Sequence, residues 1–478
     1  MSSIFTPRYP GKRWTVVYGA YDGVERFALA EWQRVLQYYQ PYVLPLRQAP
    51  TALTEHVALL GTAANNPHIA ALLADGLLTP PPGPEGYSLA CLPAPWDAEA
   101  KLLVVAGADA RGVLYGVEEC NARLCQGGTL LGGRASLRPV LDGLAPFTLA
   151  EAPAVAARGV WTWGYVIYDY PRLLDHLARL KMNTLTVWND CAPLNAAALI
   201  DAAHARGVRV IFGFHWGWGV GDLDITRADD RASIKADVLR TYRDQYAGLA
   251  HDGIYFQTLT EHPTQEMAGR STAAWACALV NDIAAALLDE FPGLEIQFGL
   301  HATSIGAHYT DLAPLDPRVT ITWEDAGALP FSYFPQTDGY ADTLAYAKRL
   351  AAFRPGSTFA MVPKGWMCLR WPEEFENHGP FLLGECAPQF LRERLQARQG
   401  EWDAVNAAWL RHYPLAARFY REVLAVNPRL LATGLVEDGL LDAQIQPSVA
   451  LFAETLWNPH QPDGEILARA MRAYYGRF

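Results

Sequence analysis

The sequence predicts an α/β protein in two parts, an N-terminal α/β sandwich over residues 1–150 and a parallel (β/α)8 barrel with inserted C-terminal helices over residues 151–478. Three observations carry that prediction. The chain has 478 residues, and at roughly 100 to 200 residues per domain this is room for a large barrel and one accessory domain. Up to residue 150, short apolar strands alternate with helices and turns. From Ala157 the pattern becomes a strand-then-helix unit repeated every 25 to 50 residues or so, which marks a parallel sheet with crossover helices. Hydrophobic residues make up 51% and charged residues 19%, with 15 Trp and 22 Tyr, so core material is ample and little of the chain resembles a disordered tail.

Within the first part, residues 15–18 (TVVY) read as a strand. Residues 26–39 read as an amphipathic helix that turns Phe27, Leu29, Trp32, Val35 and Leu36 inward. Residues 56–61 (HVALLG) form a second strand. Residues 87–92 and 102–106 follow as a strand pair across turn-rich 93–97, and a helix over 112–124 closes the unit. The proline run at 79–86 is a stiffened loop.

In the second part the predicted strands are 159–163, 184–188, 208–214, 253–259, 295–300, 319–323 and 358–362. Between them lie helices such as 171–181, with Leu173, Leu174, Leu177 and Leu180 on one side, and 272–290, with Leu279, Val280, Ile283 and Leu287. The eighth strand is expected within 435–456, after an inserted helical block at about 395–430.

Charge and cysteine usage exclude several classes. With 39 Lys+Arg against 50 Asp+Glu the formal charge is −11, which repels phosphate backbones and anionic lipid, so neither nucleic acid nor a membrane is expected as partner. The amino terminus lacks the apolar run of a signal peptide, and no stretch reaches about 18 uninterrupted apolar residues. The chain reads as cytoplasmic; a secreted protein with its signal removed would look the same. Seven scattered cysteines without a CxxC pair argue against a disulfide framework and a structural zinc. No GxGxxG follows a strand and no P-loop occurs, so no cofactor is expected. Oligomeric state is left open, a homodimer included.

The run EGYSLACL, followed by KLLVVAGADARGVLYGVEECNARL at 101–124, is similar to the small α/β domain that precedes the catalytic barrel in β-hexosaminidases, α-glucuronidases and related exo-glycosidases. Gly112 and Gly116 in that run allow close packing of helix on sheet. Further on, ARGVWTWG, LKMNTLTVWND and ARGVRVIFGF resemble the first three barrel strands of the same group, and VALFAETLWNP resembles the end of the α-glucuronidase barrel. The resemblance implies a TIM barrel, a carbohydrate substrate and glycosidase activity.

In such a barrel the chemistry sits at the carboxyl ends of the strands. Those tips carry Trp161, Trp163 and Tyr165; Trp188, Asn189 and Asp190; His215, Trp216 and Trp218; Thr260, Glu261 and His262; His301; Trp323, Glu324 and Asp325; and Lys364 and Trp366. Seven of the 15 tryptophans are among them, and a flat indole suits the C–H face of a pyranose. Trp216 and Trp323 are expected to stack on sugar and to be dispensable for folding. Arg158 has two readings, a ligand of substrate hydroxyls as in hexosaminidases or a paired residue beneath the first strand.

Glycoside cleavage needs one carboxyl to protonate the leaving oxygen and a second carboxylate as nucleophile or base. The resemblance places the acid at Glu261, where aromatic and neutral polar neighbours favour a raised pKa. Hexosaminidases carry Asp-Glu here and this chain has Thr260-Glu261, which weighs against N-acetylhexosaminides. The second carboxylate is Glu324 or Asp325, since adjacent strand residues point opposite ways, with Asp190 in reserve. Lys364 and Arg370 suit an acidic sugar such as a uronate or sialate, or are ordinary loop cations. His215, His262 and His301 admit a metal-assisted barrel enzyme, and a non-catalytic carbohydrate-binding protein on the same scaffold is the remaining alternative. The expected function is an exo-acting glycoside hydrolase without metal or cofactor.

Overall fold

The structure is a computed structural model that describes residues 11–38, 40, 42–124, 140–217, 219–260, 264–324, 330–335, 337–366, 379–436 and 440–475. The chain divides into two compact units, residues 1–153 with 204–207 and 472–478, and residues 154–203 with 208–471.

The N-terminal unit contains β1 (Trp14–Tyr18), α1 (Gly23–Tyr38), β2 (Leu46–Gln48), β3 (His56–Thr62), α2 (Pro67–Ala74), β4 (Tyr87–Ala94), β5 (Asp97–Gly107), α3 (Ala110–Leu124) and β6 (Phe147–Glu151). Its sheet has six strands in the order β2-β1-β3-β5-β4-β6. β1, β2, β3 and β5 pair in parallel, and β4 runs antiparallel between β5 and β6. All seven residues of β3 are buried, which suits its unbroken apolar run and its place inside the sheet. The glycines of α3 act as the sequence predicts. A Cβ on Gly112 would collide with the Gly86 carbonyl, and one on Gly116 would lie 2.7 Å from Val105 and 3.1 Å from Tyr87.

The second unit is a closed barrel of eight parallel strands in chain order: β7 (Ala157–Trp163), β8 (Thr184–Trp188), β9 (Arg209–His215), β10 (Gly253–Gln257), β11 (Ile296–His301), β12 (Val319–Glu324), β13 (Phe359–Val362) and β14 (Leu430–Leu435), the last pairing back onto β7. Around it lie α4 (Tyr170–Arg179), α5 (Ala196–His204), α6 (Ala228–Thr241), α7 (Thr272–Glu290), α8 (Tyr340–Phe353), α9 (Pro388–Val426), α10 (Pro447–Trp457) and α11 (Asp463–Tyr475). α7 begins where the Ser271 hydroxyl caps the Ala274 N–H at 3.1 Å, and it buries Leu279, Val280, Ile283 and Leu287. By length and composition it is the one helix among the described residues apolar enough to cross a membrane, and 56% of its most apolar window is buried within the protein.

Two expectations are corrected here. The eighth strand is Leu430–Leu435, so the stretch read as containing it, 435–456, begins only at that strand's last residue and takes in most of the helix Pro447–Trp457. Every residue of α10 from Ser448 to Trp457 is buried, so no polar face interrupts the apolar run and the sequence shows no helical period. The helical insertion also starts earlier than expected, at Pro388, and ends at Val426.

Small residues let the barrel close. A Cβ on Gly159 would strike the Thr184 carbonyl of the adjoining strand, and one on Gly213 would sit 2.9 Å from the Trp188 indole. At the seam between last and first strands, the Asp442 carboxylate accepts from the Tyr168 and Asp169 N–H groups at 2.6 and 2.9 Å. The Thr162 hydroxyl donates to the Val436 carbonyl at 2.6 Å. At the opposite, amino-terminal end, Glu454 pairs with Lys181 and Arg469, each at 3.0 Å and all three buried.

Candidate active site

β-strand alternation decides which tip residues face the lumen. On β12, Glu324 points inward and Trp323 outward. The Glu324 carboxylate is buried, and its Oε1 accepts from the Tyr255 hydroxyl and from Gln257 Nε2 at 2.6 Å. Its Oε2 lies 3.6 Å from the Lys364 ammonium, which is itself buried and stands 4.9 Å from the Tyr333 ring centre. His301, the last residue of β11, is in register with Glu324, and Gln257 with His215. Five neighbouring strands thus bring His215, Gln257, His301, Glu324 and Lys364 to one end of the barrel.

Burial alone pushes the Glu324 carboxyl upward, and it is the largest single influence. The charges of Lys364 and His301 and the hydrogen bonds from Tyr255 and Gln257 together outweigh it, so the pKa falls below the usual carboxylate value. Tyr255 moves the other way. Burial first, and then the negative charge of Glu324, hold its phenol well above its ordinary value, so it remains a donor. The two shifts together favour a charged carboxylate accepting from a neutral phenol.

The Tyr255 that donates to this carboxylate also belongs to a cluster of rings. Trp161 meets Trp163 edge-on at 4.9 Å, and the Trp188 and Tyr255 rings lie 6.1 and 5.8 Å from Trp161. These four rings belong to one apolar cluster with Val166, Tyr168, Val362, Leu391 and Leu435, against which the partly buried Tyr165 and Tyr333 pack. Aromatic faces beside a desolvated carboxylate and a cation are the surroundings in which a sugar ring and a developing charge are both stabilised.

The tip residues expected from sequence divide as follows. Trp161, Trp163, Trp188, His215, His301, Glu324 and Lys364 are brought together. Asn189 and Asp190 follow β8 directly; Asn189 is buried, with its side-chain amide on the Cys191 carbonyl and its own carbonyl accepting from the Tyr246 hydroxyl at 3.1 Å. Trp218, Glu261, His262, Asp325 and Arg370 lie outside the described residues.

Three expectations are overturned by packing, and for Arg158 the structure agrees with one of its two readings. Trp216 is fully buried and stacks on Phe256 at 3.5 Å and 7°, in the layer between barrel and helices. Trp323 is buried with the outward parity of its strand. Trp366 is buried against Trp409 at 4.7 Å and Phe452 at 5.0 Å. None of the three is a rim residue. Arg158 sits at the amino end of β7, where it donates to the Val155 and Ala156 carbonyls at 3.1 and 3.3 Å and covers Trp457 at 5.2 Å, so it belongs to the foot of the barrel.

Sequence reasoning missed Tyr255, Gln257 and Gly299. Counting by twos along GIYFQ puts Tyr255 and Gln257 on the lumen face, and that was the available signal. Gly299 shows itself only in space, since a Cβ there would collide with the Tyr255 hydroxyl and lie 2.9 Å from Glu324 Oε1. Among the described residues no group of three or more His, Cys, Asp or Glu is placed to hold a metal ion.

No protein-family model and no curated protein matches the sequence. Solved structures do. The family GH115 4-O-methyl-alpha-glucuronidase BtGH115A, described as having specificity for decorated arabinogalactans, is 15% identical with a TM-score of 0.52, over 97% of this chain and 59% of its own. CpGH84B is 11% identical with a TM-score of 0.51, over 96% of this chain and 70% of its own. This chain therefore spans 59% of the length of the glucuronidase. What these proteins have in common with it is the fold, a barrel of eight parallel strands with an α/β unit before it, as the resemblance in the sequence implied.

Proposed function

We propose that the protein is an exo-acting glycoside hydrolase that removes a terminal sugar from a glycan or oligosaccharide by carboxylate acid and base catalysis. The observation that carries this reading is Glu324, a buried carboxylate at a barrel-strand tip that accepts from Tyr255 and Gln257, lies 3.6 Å from Lys364 and shares Tyr255 with a cluster of tryptophans. An anion of that kind suits the nucleophile or the base that activates water. Between the two adjacent candidates the lumen-facing parity of Glu324 favours it over Asp325. Glu261, one residue after the buried Thr260, is the proposed general acid.

For an acidic substrate the two lines of support differ. The GH115 neighbour is named as an α-glucuronidase, which favours a uronide. Lys364, however, places its charge beside Glu324, so it is poorly disposed to serve a substrate carboxylate.

The test is a screen of aryl glycosides covering neutral sugars, uronides, N-acetylhexosaminides and sialosides, followed by two variants on the best substrate. Glu324→Gln should lower kcat by about 10²- to 10⁴-fold whatever the leaving group. Glu261→Gln should be damaging on poor leaving groups and mild on activated aryl glycosides, because only the former need a proton. The anomer of the first-formed product then separates retention from inversion. Wild-type turnover in Glu324→Gln would sink the assignment, and no hydrolysis across the screen would sink the reading.

A further inference from the structure

We propose that Glu324 reacts through one oxygen only, Oε2, and that Tyr255, Gln257, Lys364 and Gly299 are the positioning residues that enforce this. The proposal rests on the reading of Glu324 as nucleophile or base and adds a division of labour within its carboxylate.

A carboxylate oxygen has about two in-plane lone pairs. At Oε1 both are met, by the Tyr255 hydroxyl and by Gln257 Nε2 at 2.6 Å. Oε1 therefore has no lone pair left to attack carbon or to take a proton. Oε2 faces Lys364 across 3.6 Å, beyond a short hydrogen bond, so the ammonium supplies charge while leaving that oxygen able to react. If Glu324 is the nucleophile, an Oε2 lone pair forms the bond to the anomeric carbon as the glycosidic C–O bond breaks, and the departing oxygen takes the proton of the general acid. If Glu324 is the base, Oε2 takes a proton from water as the water oxygen bonds to that carbon and the same leaving oxygen is protonated.

Clearance is what makes the loading of Oε1 possible. Tyr255 is in register with Gln297, and its hydroxyl reaches Glu324 across the position where Gly299 has no side chain. A Cβ at 299 would occupy the space of the Tyr255 hydroxyl and stand 2.9 Å from Oε1. Gly299 thus acts through Tyr255 on the carboxylate without touching substrate. Among the described residues, the charged and titratable groups around Glu324 are Tyr255 on β10, His301 on β11 and Lys364 after β13.

The test compares Tyr255→Phe, Lys364→Met and Gly299→Ala with wild type, each checked for folding by circular dichroism and thermal melting. The Glu324 carboxyl is followed by ¹³C NMR of glutamate-labelled protein, its resonance assigned by its loss in Glu324→Gln. Tyr255 and Lys364 both favour the ionised form, so removing either should move the titration to higher pH by about one unit or more. On the best substrate kcat should fall by about 10- to 100-fold with KM within about twofold, and the acid limb of the rate profile should move upward with the titration. Gly299→Ala should copy Tyr255→Phe; if it fails to fold, the near-isosteric Tyr255→Phe still decides. A Glu324 titration unchanged in both Tyr255→Phe and Lys364→Met overturns the proposal, as does a raised KM for Lys364→Met with the titration unmoved. If the wild type hydrolyses no glycoside, the hydrolase reading fails, and the titration still decides whether these residues set the state of Glu324.

Discussion

At the residue scale, a tryptophan at a strand end has two fates, and one position of register separates them. Trp163 belongs to the lumen cluster, whereas Trp216 lies flat on Phe256 outside the barrel wall. Trp216→Ala should therefore cost about 3 to 5 kcal/mol, read as a lower urea midpoint, because a large fully buried ring leaves a cavity the packed wall cannot fill. Trp163→Ala, also buried, should lower stability too but in addition lower kcat/KM, measured on the substrate found by the screen. A stable Trp216→Ala with weakened substrate binding would return that ring to the site. The strand-tip rule named Glu324, His301 and Lys364, which the structure brings to one end of the barrel. It went wrong at Trp216 and Trp323 because membership of a tip does not give facing, and a shift of one residue reverses it; Trp366 lies beyond its strand and packs on Trp409 and Phe452. Tyr255 escaped because it lies two residues deeper than the tip and acts by reaching upward.

Among the elements, seven barrel strands were legible because each is a short apolar run closed by turn residues, and the structure places all seven in the barrel. The eighth was hidden by its neighbour. LLATGL carries Gly434, whose absent Cβ makes room for the Phe452 and Trp366 rings, while the buried α10 offered a longer apolar run nearby. β2 and β6 of the N-terminal sheet also went unread. β2 is a three-residue edge strand whose residues are all exposed, and β6 is an edge strand buried only in part, so neither carries an apolar signature. Glycine substitutions test the strand pairing directly. Gly159→Val should destabilise the barrel by more than about 4 kcal/mol, since its side chain would enter the β7–β8 backbone contact. Gly293→Ala, with open space around it, should melt within a degree or so of wild type.

For the whole molecule, pH sets the stability profile through groups in both units. Burial lowers the pKa of His56 in the N-terminal unit and of His251 in the barrel from their ordinary 6.5. The unfolded chain then binds protons that the folded one does not, so stability is lost as pH falls below 6.5. Glu324, held low, adds a further loss below the ordinary carboxylate value of 4.5, which Glu25, raised by burial, partly offsets. On the alkaline side, burial pushes Cys120 up to about 12 from 9.0, so the unfolded thiol ionises first and stability declines above pH 9.0. Thermal melts from about pH 4 to 10 should show a plateau between those limits; a maximum below pH 6 or so would contradict the assignment. The seam at the mouth has a consequence of another kind. Asp442 joins residues 273 and 274 positions away, and Thr162 and Val436 are 274 apart, so these bonds close one of the longest loops in the chain. Loop entropy makes such contacts late to form, after the transition state rather than within it. Asp442→Ala should then leave the refolding limb of a chevron in place and accelerate unfolding, so that the clasp governs how long a finished molecule survives instead of how quickly a new one appears.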